Sequence, residues 1–324
     1  MTSTRYDLRW TALVLAFLFL LAGLNPTAAA TSKGTASKTK AQPARKSSSI
    51  ARNPYVGAIV TDVASGRVLV EDNADAHGYP ASMLKLMDLL IILEKVKANE
   101  LSLQDSVKVS ARAALTGGSQ VWLAQGETFT VEDMLFALMI QSANDAAVAL
   151  AEKVGGTYEN FVEMMNARAR QLGMRNTRFS SPHGLPPSAG QPFDVTTARD
   201  FSILCRELLK HPEALRYTST RERAFRPNVP GKTVIMRSHN HLLKSVEGCD
   251  GLKTGFINAA GYSIAVTAYR NGQRVITVVL DSVDRKLRDA KASELVARGF
   301  TALNNSTPTA AAGPAARALA APKR

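Results

Sequence analysis

The sequence has few of the residues that would indicate a metal site or a disulfide-stabilised fold. Its two cysteines, Cys205 and Cys249, lack the C-x-x-C spacing of zinc and redox motifs, and one disulfide bond or two buried thiols are equally compatible with them. Of the five histidines, His239 and His241 form one close pair, but neither H-E-x-x-H nor a third ligand accompanies it. We therefore predict no metal ion and no cofactor.

Long apolar runs are also absent beyond the N-terminus. The run from Trp10 to Leu24 is about fifteen residues, short of the roughly twenty that span a bilayer. Arg5 and Arg9 precede this run, and Ala28-Ala29-Ala30 offers a cleavage site. Residues 1–30 are therefore predicted to be a secretory signal peptide, with an uncleaved anchor as the alternative. The protein is expected in the periplasm or at the extracytoplasmic face of the membrane.

Acidic residues are missing from both ends of the mature chain. The net charge is +13, but residues 31–52 carry six basic residues and residues 301–324 carry three, without one acid. Residues 53–300 keep a net charge of only +3, which argues against a nucleic-acid-binding domain. We predict that residues 31–52 are a disordered basic linker able to contact the cell wall or the membrane, and that residues 304–324 are a disordered Ala/Pro-rich tail.

The patterning of residues 53–303 predicts one α+β domain. β-rich runs at residues 55–63 and 67–71 indicate a hairpin, and Asn271-Gly272 indicates another hairpin turn among later strands. Apolar periodicity predicts helices near residues 82–96, 130–140, 144–154, 158–172, 197–210 and 288–300, and strands near 233–236, 251–253, 262–268 and 274–281. Strands from both chain ends would then form one antiparallel sheet flanked by helices, with an inserted all-helical lobe and a ligand cleft between the two.

The first helix opens with an S-x-x-K motif, Ser82 to Lys85. Residues three apart lie one helical turn apart on the same side, so a hydroxyl and an amine would meet there as a nucleophile and its base. The alternative is a capping serine beside a surface lysine. Spacing alone does not decide, because Ser37-Lys38-Thr39-Lys40 also fits the motif in a predicted linker.

Two further motifs are weak in isolation. Ser142-Ala143-Asn144 lies between two predicted helices, where both side chains could point into a cleft or simply cap a helix, and Ser238-His239-Asn240 has the same pattern. Lys253-Thr254-Gly255 lies on a predicted strand. There the lysine and the hydroxyl could hold a carboxylate while the glycine admits a bound peptide, or the lysine could be a surface residue.

Together and in this order, the three motifs resemble those of the serine penicillin-recognising enzymes. The surrounding residues are similar to those of the low-molecular-mass D-alanyl-D-alanine carboxypeptidases, and the resemblance covers residues 53–303. It rests on Pro80-Ala81-Ser82-Met83-Leu84-Lys85-Leu86-Met87, Gln141-Ser142-Ala143-Asn144-Asp145-Ala146-Ala147, Ser181-Pro182-His183-Gly184-Leu185-Pro186, Thr197-Ala198-Arg199-Asp200 and Asp250-Gly251-Leu252-Lys253-Thr254-Gly255-Phe256. It implies a DD-peptidase/β-lactamase-like fold.

The resemblance also implies four catalytic residues. Ser82 would attack the D-Ala–D-Ala carbonyl of a peptidoglycan stem peptide, and Lys85 would be its general base, kept neutral by cationic and desolvating surroundings. Ser142 would relay a proton to the leaving D-alanine, and Asn144 would orient the substrate amide and Lys85.

The late strand would bind the substrate. Lys253 and Thr254 would hold the terminal carboxylate, and Gly255 would let the peptide pair with the strand. The backbone N–H groups of Ser82 and Phe256 would form the oxyanion hole. β-Lactam antibiotics, which mimic the substrate, would acylate Ser82.

The sequence departs from the family at several points. Leu84 and Asp88 stand where threonine is usual, which leaves a peptidoglycan-binding pseudo-enzyme as an alternative function. Neither a second β domain nor an amphipathic anchor follows Phe300, and this resembles the shorter DD-endopeptidases that cut cross-links. A class A β-lactamase is excluded, because its deacylation glutamate has no counterpart in residues 176–193, which contain no acid.

Overall fold

The computed structural model describes Ile50 and residues 52–306. The predicted signal peptide, nearly all of the basic linker and the C-terminal tail beyond residue 306 lie outside the described residues, so these segments stay predictions. Within residues 52–306, no helix has the length and apolar character needed to cross a membrane.

The described residues form short and long strands interspersed with helices. The strands are β1 (Gly57–Asp62), β2 (Val68–Asp72), β3 (His77–Gly78), β4 (Ser106–Lys108), β5 (Thr128–Thr130), β6 (Thr196–Thr197), β7 (Glu222–Phe225), β8 (Val234–Arg237), β9 (Cys249–Ile257), β10 (Gly261–Arg270) and β11 (Gln273–Ser282). The α-helices are α1 (Lys85–Lys97), α2 (Ala111–Leu115), α3 (Val131–Phe136), α4 (Asn144–Gly155), α5 (Tyr158–Leu172), α6 (Ala198–Leu208), α7 (Ala214–Thr218), α8 (Leu242–Ser245) and α9 (Arg285–Ser306). A 3₁₀ turn (Ala81–Leu84) precedes α1, and a π-helical turn (Ala137–Gln141) precedes α4.

The central sheet joins the two ends of the described chain. Its five antiparallel strands lie in the order β2-β1-β11-β10-β9, with Gly57 opposite Leu280 and Asp62 opposite Val275. β1 therefore pairs with β11, a strand more than two hundred residues later, as the predicted architecture requires. The α+β class and the sheet built from both chain ends are confirmed.

Helices cover both faces of the sheet, because alternate side chains of its inner strands pack into two separate apolar cores. Ala58 and Val60 of β1 pack with α9 in one apolar cluster. Ile59, between them, packs instead with the helical lobe, since successive strand side chains point to opposite faces. α1 runs through the core of that lobe, and every residue from Lys85 to Leu93 is buried. A polar group on this helix therefore has to find its partners inside the protein.

Several boundaries differ from the sequence prediction. Residues 104–128, where the sequence patterns predict neither a helix nor a strand, contain β4 and α2 and reach the first residue of β5. β9 spans nine residues instead of three, because its pairing with β10 continues on both sides of Gly251 and Gly255, with one shift in register next to Gly251. α1 begins at Lys85, three residues later than predicted. Cys205 and Cys249 are both free thiols.

Candidate active site

The 3₁₀ turn at the start of α1 positions Ser82. Ala81, just before the serine, has φ +46°, a backbone conformation that residues other than glycine rarely adopt. Ser82 is half-buried, whereas its neighbours Ala81, Met83 and Leu84 are buried. Such strained backbone persists only where the surroundings fix it, and it is frequent at functional sites.

The side-chain nitrogen of Lys85 lies 2.8 Å from Ser82 Oγ, 2.8 Å from Asn144 Oδ1 and 2.7 Å from the backbone oxygen of His183. Two of these partners, the amide oxygen and the carbonyl oxygen, can only accept hydrogen bonds. The third is a hydroxyl that can also donate. A neutral amine has two N–H groups and one lone pair, so with both N–H groups on the two obligate acceptors it can accept the Ser82 proton through its lone pair.

Burial lowers the pKa of Lys85 to about 7, since the fully enclosed ammonium ion loses its hydration. The carboxyl groups of Asp88, Asp194 and Asp145 oppose this effect and raise the pKa. The neutral state of the amine thus arises from desolvation. The cationic surroundings expected from the family resemblance do not account for it at this lysine.

Ser142 and Asn144 reach the site from the turn between the π-helical segment and α4. Ser142 has φ +60° and Asn144 begins α4, so the chain reverses abruptly between two buried helices. Asn144 accepts a hydrogen bond from Lys85 through Oδ1 and donates through Nδ2 to the backbone oxygen of Gly117 at 2.8 Å. Both serine and asparagine are buried. The structure therefore brings Ser82, Lys85 and Asn144 into direct contact and places Ser142 in the cavity beside them.

The His183 loop supplies a group that the sequence did not reveal. The backbone oxygen of His183 contacts both Lys85 Nζ and, at 3.4 Å, Ser82 Oγ. A Cβ atom at Gly184 would collide with the backbone of Ala81, so only glycine permits this close approach. The Ser181-Pro182-His183-Gly184 segment had contributed to the family resemblance, but no side-chain chemistry marked a carbonyl as functional.

Asp194 holds the His183 loop in place. Its carboxylate accepts hydrogen bonds from the backbone N–H groups of Ser180 and Ser181 and from the Ser181 hydroxyl, which in turn accepts one from Gly184 N–H. Burial raises the pKa of Asp194 to about 6 despite these bonds. The acid stands just beyond the acid-free stretch 176–193, and its role here is to position the loop.

Some residues of β9 line the cavity, whereas Lys253 on the same strand is buried in the protein. Thr254, Gly255 and Phe256 line the cavity together with Ser82. Lys253 is buried behind them, and its Nζ donates a hydrogen bond to the Thr254 backbone oxygen at 3.0 Å. Burial, followed by the charges of Lys85 and Arg288, places the pKa of Lys253 well below its ordinary value.

The cavity has a volume of about 840 Å³ and is open to solvent. Ser82, Ser142 and Thr254 line it, whereas Lys85, Asn144 and Lys253 are buried and do not belong to its lining. This arrangement can activate a serine for attack on a carbonyl group that enters from the cavity.

His239 and His241, the pair considered as metal ligands, have other surroundings. His239 lines the cavity and burial lowers its pKa to about 4, whereas His241 Nδ1 lies 3.4 Å from a carboxylate oxygen of Asp289. Within residues 52–306, no three histidine, cysteine or acidic side chains are grouped so that they could hold a metal ion.

Asp88 is an unusual residue one turn after Lys85 on α1. It is 1 % exposed, and neither carboxyl oxygen has a hydrogen-bond partner among the described residues. Burial raises the pKa of Asp88 well above its ordinary value, and the charge of Lys85 opposes this only in part. Burial therefore favours the neutral forms of both Lys85 and Asp88, because in a buried site without direct contact the two desolvation costs exceed the attraction of an ion pair.

The family model for D-alanyl-D-alanine carboxypeptidases, peptidase family S11, matches residues 41–284 of the chain. The chain belongs to this family. The match includes every element of the site, from the Ser82 turn to β9.

Curated relatives agree with this assignment. D-alanyl-D-alanine carboxypeptidase DacF of Bacillus subtilis is 36 % identical over 244 residues, which are 75 % of this chain and 61 % of the relative. DacC of Escherichia coli is 35 % identical over 257 residues, or 77 % of this chain and 62 % of the relative. The chain thus spans about three fifths of the length of these carboxypeptidases. The D-alanyl-D-alanine endopeptidase of E. coli is 31 % identical over 297 residues, 91 % of this chain and 88 % of that protein.

Solved structures share the fold. Penicillin-binding protein D2 of Listeria monocytogenes, in an ampicillin-bound form, is 36 % identical and matches with a TM-score of 0.68 over 76 % of this chain and 97 % of that one. Penicillin-binding protein 5 of Haemophilus influenzae is 30 % identical, with a TM-score of 0.70 over 76 % of this chain and 71 % of that one. The predicted DD-peptidase-like fold is confirmed.

The Lys85 environment predicts the pH dependence of Ser82 reactivity. Only the neutral amine can take the serine proton, so we expect the acylation rate constant with benzylpenicillin to fall about ten-fold per pH unit as the pH drops below about 7. Stopped-flow or quenched mass spectrometry between pH 5 and pH 8 measures it, with circular dichroism at each pH to show that the fold persists. A rate that stays constant down to pH 5 would contradict a neutral Lys85 base.

The neutral carboxyl group of Asp88 predicts a pH-dependent gain in stability for Asp88→Asn. The native state retains a proton on Asp88 that the unfolded chain releases above its ordinary pKa, so wild-type stability declines as the pH rises and the variant avoids this decline. We expect the unfolding free energy of Asp88→Asn, relative to wild type, to grow between pH 5 and pH 8 by up to about 1.4 kcal/mol per pH unit.

Urea unfolding at several pH values measures this difference. Asp75→Asn is the matched control: Arg199 lowers the pKa of that exposed aspartate, which is thus ionised in both states over this range, and its effect should not vary with pH. A pH-independent effect of Asp88→Asn would mean that Asp88 is charged in the folded protein.

Proposed function

We propose that this protein is a serine-type D-Ala-D-Ala carboxypeptidase that removes the terminal D-alanine from peptidoglycan stem peptides through an acyl-enzyme on Ser82. The observation that carries the proposal is the contact set of the Lys85 amine, whose nitrogen lies within hydrogen-bond distance of the Ser82 hydroxyl and of two oxygens that can only accept. The family membership and the ampicillin-bound relative support the same reaction.

Acylation begins with proton transfer from Ser82 Oγ to Lys85 Nζ while the oxygen attacks the penultimate D-alanine carbonyl. The negative charge on the carbonyl oxygen is stabilised by the backbone N–H groups of Ser82 and Phe256. The C–N bond then breaks, and the leaving amine receives a proton that passes from Lys85 through the Ser142 hydroxyl. Asn144 orients both Lys85 and the substrate amide. Water subsequently hydrolyses the ester and regenerates Ser82.

Lys253 and Thr254 hold the terminal carboxylate of the substrate, and Gly255 lets β9 lie close to the Ser82 turn, since a Cβ atom there would collide with the Pro80 backbone oxygen. Because burial disfavours a charge on Lys253, an arriving carboxylate favours its ammonium form and gives the lysine an ionic partner. β-Lactams bind in the same place and acylate Ser82. No nucleic-acid partner and no cofactor enters the proposal.

The cell wall is the natural location for this reaction. We propose that residues 1–30 direct export to the periplasm or the extracytoplasmic face of the membrane. The basic linker, residues 31–52, then contacts the anionic surface of the wall or the membrane.

A DD-endopeptidase that cuts D-alanyl cross-links is the second candidate function. One observation favours it: the E. coli D-alanyl-D-alanine endopeptidase is 31 % identical over 297 residues, so that this similarity covers 91 % of the chain. Both reactions use the same acyl-enzyme and differ only in the leaving group.

Incubation with benzylpenicillin tests the nucleophile. We expect the intact mass to increase by one penicilloyl group in wild type and not in Ser82→Ala, because only the Ser82 hydroxyl faces the Lys85 amine. Lys85→Met should acylate about 10²- to 10⁴-fold more slowly, the usual contribution of a general base. Ser238→Ala is a matched control, since this serine lines the same cavity and has no part in the proposed chemistry. An unmodified wild type would overturn the proposal.

Product analysis separates the candidate functions. Release of D-alanine from a pentapeptide supports the carboxypeptidase, and conversion of cross-linked dimers to monomers supports the endopeptidase. Ser82→Ala should abolish both. If the wild type binds stem peptides and releases neither product, the pseudo-enzyme alternative takes their place, with Leu84 and Asp88 as the residues to exchange for threonine.

A further inference from the structure

The cavity that contains Ser82 also has a strongly cationic lining. Five cationic side chains and one acidic side chain contribute to it: Arg221, Arg237, Lys244, Arg285, Arg288 and Glu222. These positive charges outnumber those that the proposed chemistry needs. D-Alanine as a leaving group carries one carboxylate, and Lys253 and Thr254 already bind that carboxylate.

Ion pairs inside the protein neutralise two of these cations. Arg237 Nε lies 2.8 Å from Glu222 Oε2, and Arg288 Nη2 lies 2.6 Å from Asp289 Oδ1. Arg221 donates to the backbone oxygen of Leu243, which occupies one of its N–H groups without cancelling its charge.

Lys244 and Arg285 differ from the paired residues. Both are exposed side chains that line the cavity, Lys244 on α8 and Arg285 in the first turn of α9. No carboxylate group within residues 52–306 forms an ion pair with either of them. They are therefore available to a ligand in the cavity.

Their position relative to the leaving group follows from their neighbours. Arg288 is close enough to Lys253 to lower its pKa, and Arg285, three residues before Arg288 on the same helix, lowers the pKa of Arg288 in turn. Residues three apart on a helix are neighbours. Lys244, Arg285 and Arg288 line the same cavity as Ser82 and Thr254, and Thr254 is one of the two residues proposed to hold the terminal carboxylate of the leaving residue.

We propose that Lys244 and Arg285 bind a second carboxylate on the leaving group, so that this protein prefers D-amino-acid leaving groups with an acidic side chain over D-alanine. This inference rests on the proposed Ser82 chemistry. An acidic peptide on the leaving side is the corresponding natural substrate class, which favours cleavage of cross-links over release of a single D-alanine.

Peptide pairs that differ in one charge test the proposal. Four N-acetylated substrates are compared. Two have a short C-terminal side chain and end in D-Ala–D-Glu or its neutral isostere D-Ala–D-Gln. The other two have a long C-terminal side chain and end in D-Ala–D-2-aminopimelate or its neutral ω-amide. The readout is kcat/KM for release of the C-terminal amino acid. We expect at least one acid to exceed its amide by about three- to ten-fold in wild type, the range of one or two exposed ionic contacts. The ratio should fall as salt is added.

Matched variants assign the preference to residues. Lys244→Gln combined with Arg285→Gln should bring the acid-to-amide ratio close to one. Lys286→Gln removes an exposed charge from the same turn of α9 without touching the cavity lining, and it should leave the ratio unchanged. A ratio that falls equally in both would indicate a general field effect and would overturn the proposal.

Benzylpenicillin acylation separates failure of this inference from failure of the proposed function. If Ser82 is acylated in every variant and both wild-type ratios are near one, the second carboxylate site is wrong and the Ser82 chemistry stands. If wild type is neither acylated nor active on any of the four peptides, both proposals fail together.

Discussion

The buried Lys85 amine constrains the rest of this structure. An amine enclosed on α1 without water must satisfy its hydrogen bonds internally, and it does so with Ser82, Asn144 and the His183 backbone oxygen. These partners come from the 3₁₀ turn, from the start of α4 and from the loop that Asp194 holds. Enclosure of one nitrogen thus determines how three separate segments meet, and the same enclosure lowers its pKa into the range where it can act as a base.

Several local conformations that would be unfavourable in isolation follow from this constraint. Ala81 and Ser142 both have positive φ, one beside each serine hydroxyl of the cavity. Gly184 lets the His183 loop approach Ala81, where any larger residue would collide with the backbone. Packing in the two apolar clusters that enclose the sheet compensates for these costs, since α1 is buried along its first nine residues. Two of the non-glycine residues with positive φ thus lie where the chemistry is proposed, as in many active sites.

Asp88 shows that the site tolerates a group with no evident partner. Both of its oxygens lack hydrogen bonds among the described residues, which is costly for a buried carboxyl group. Burial raises the pKa of this carboxyl group, and its neutral form limits that cost. An ionised Asp88 would raise the pKa of Lys85 and reduce the fraction of neutral amine at neutral pH. The charges that remain in the site are at the cavity, where Lys244 and Arg285 face solvent and any ligand that enters.

The sequence by itself determined the motifs, their order and the elements that carry them. S-x-x-K, S-x-N and K-T-G were recognisable because each needs particular side chains at fixed spacing, and the α+β class followed from the alternation of apolar patterns. Only the tertiary structure decided which groups touch. The His183 carbonyl carries no side-chain signature, the place of Thr254 in the cavity lining and the burial of Lys253 depend on how β9 lies against the cavity, and the lowered pKa of Lys85 is a consequence of desolvation. Desolvation is a property of the assembled surroundings, so no local pattern along the chain can specify it.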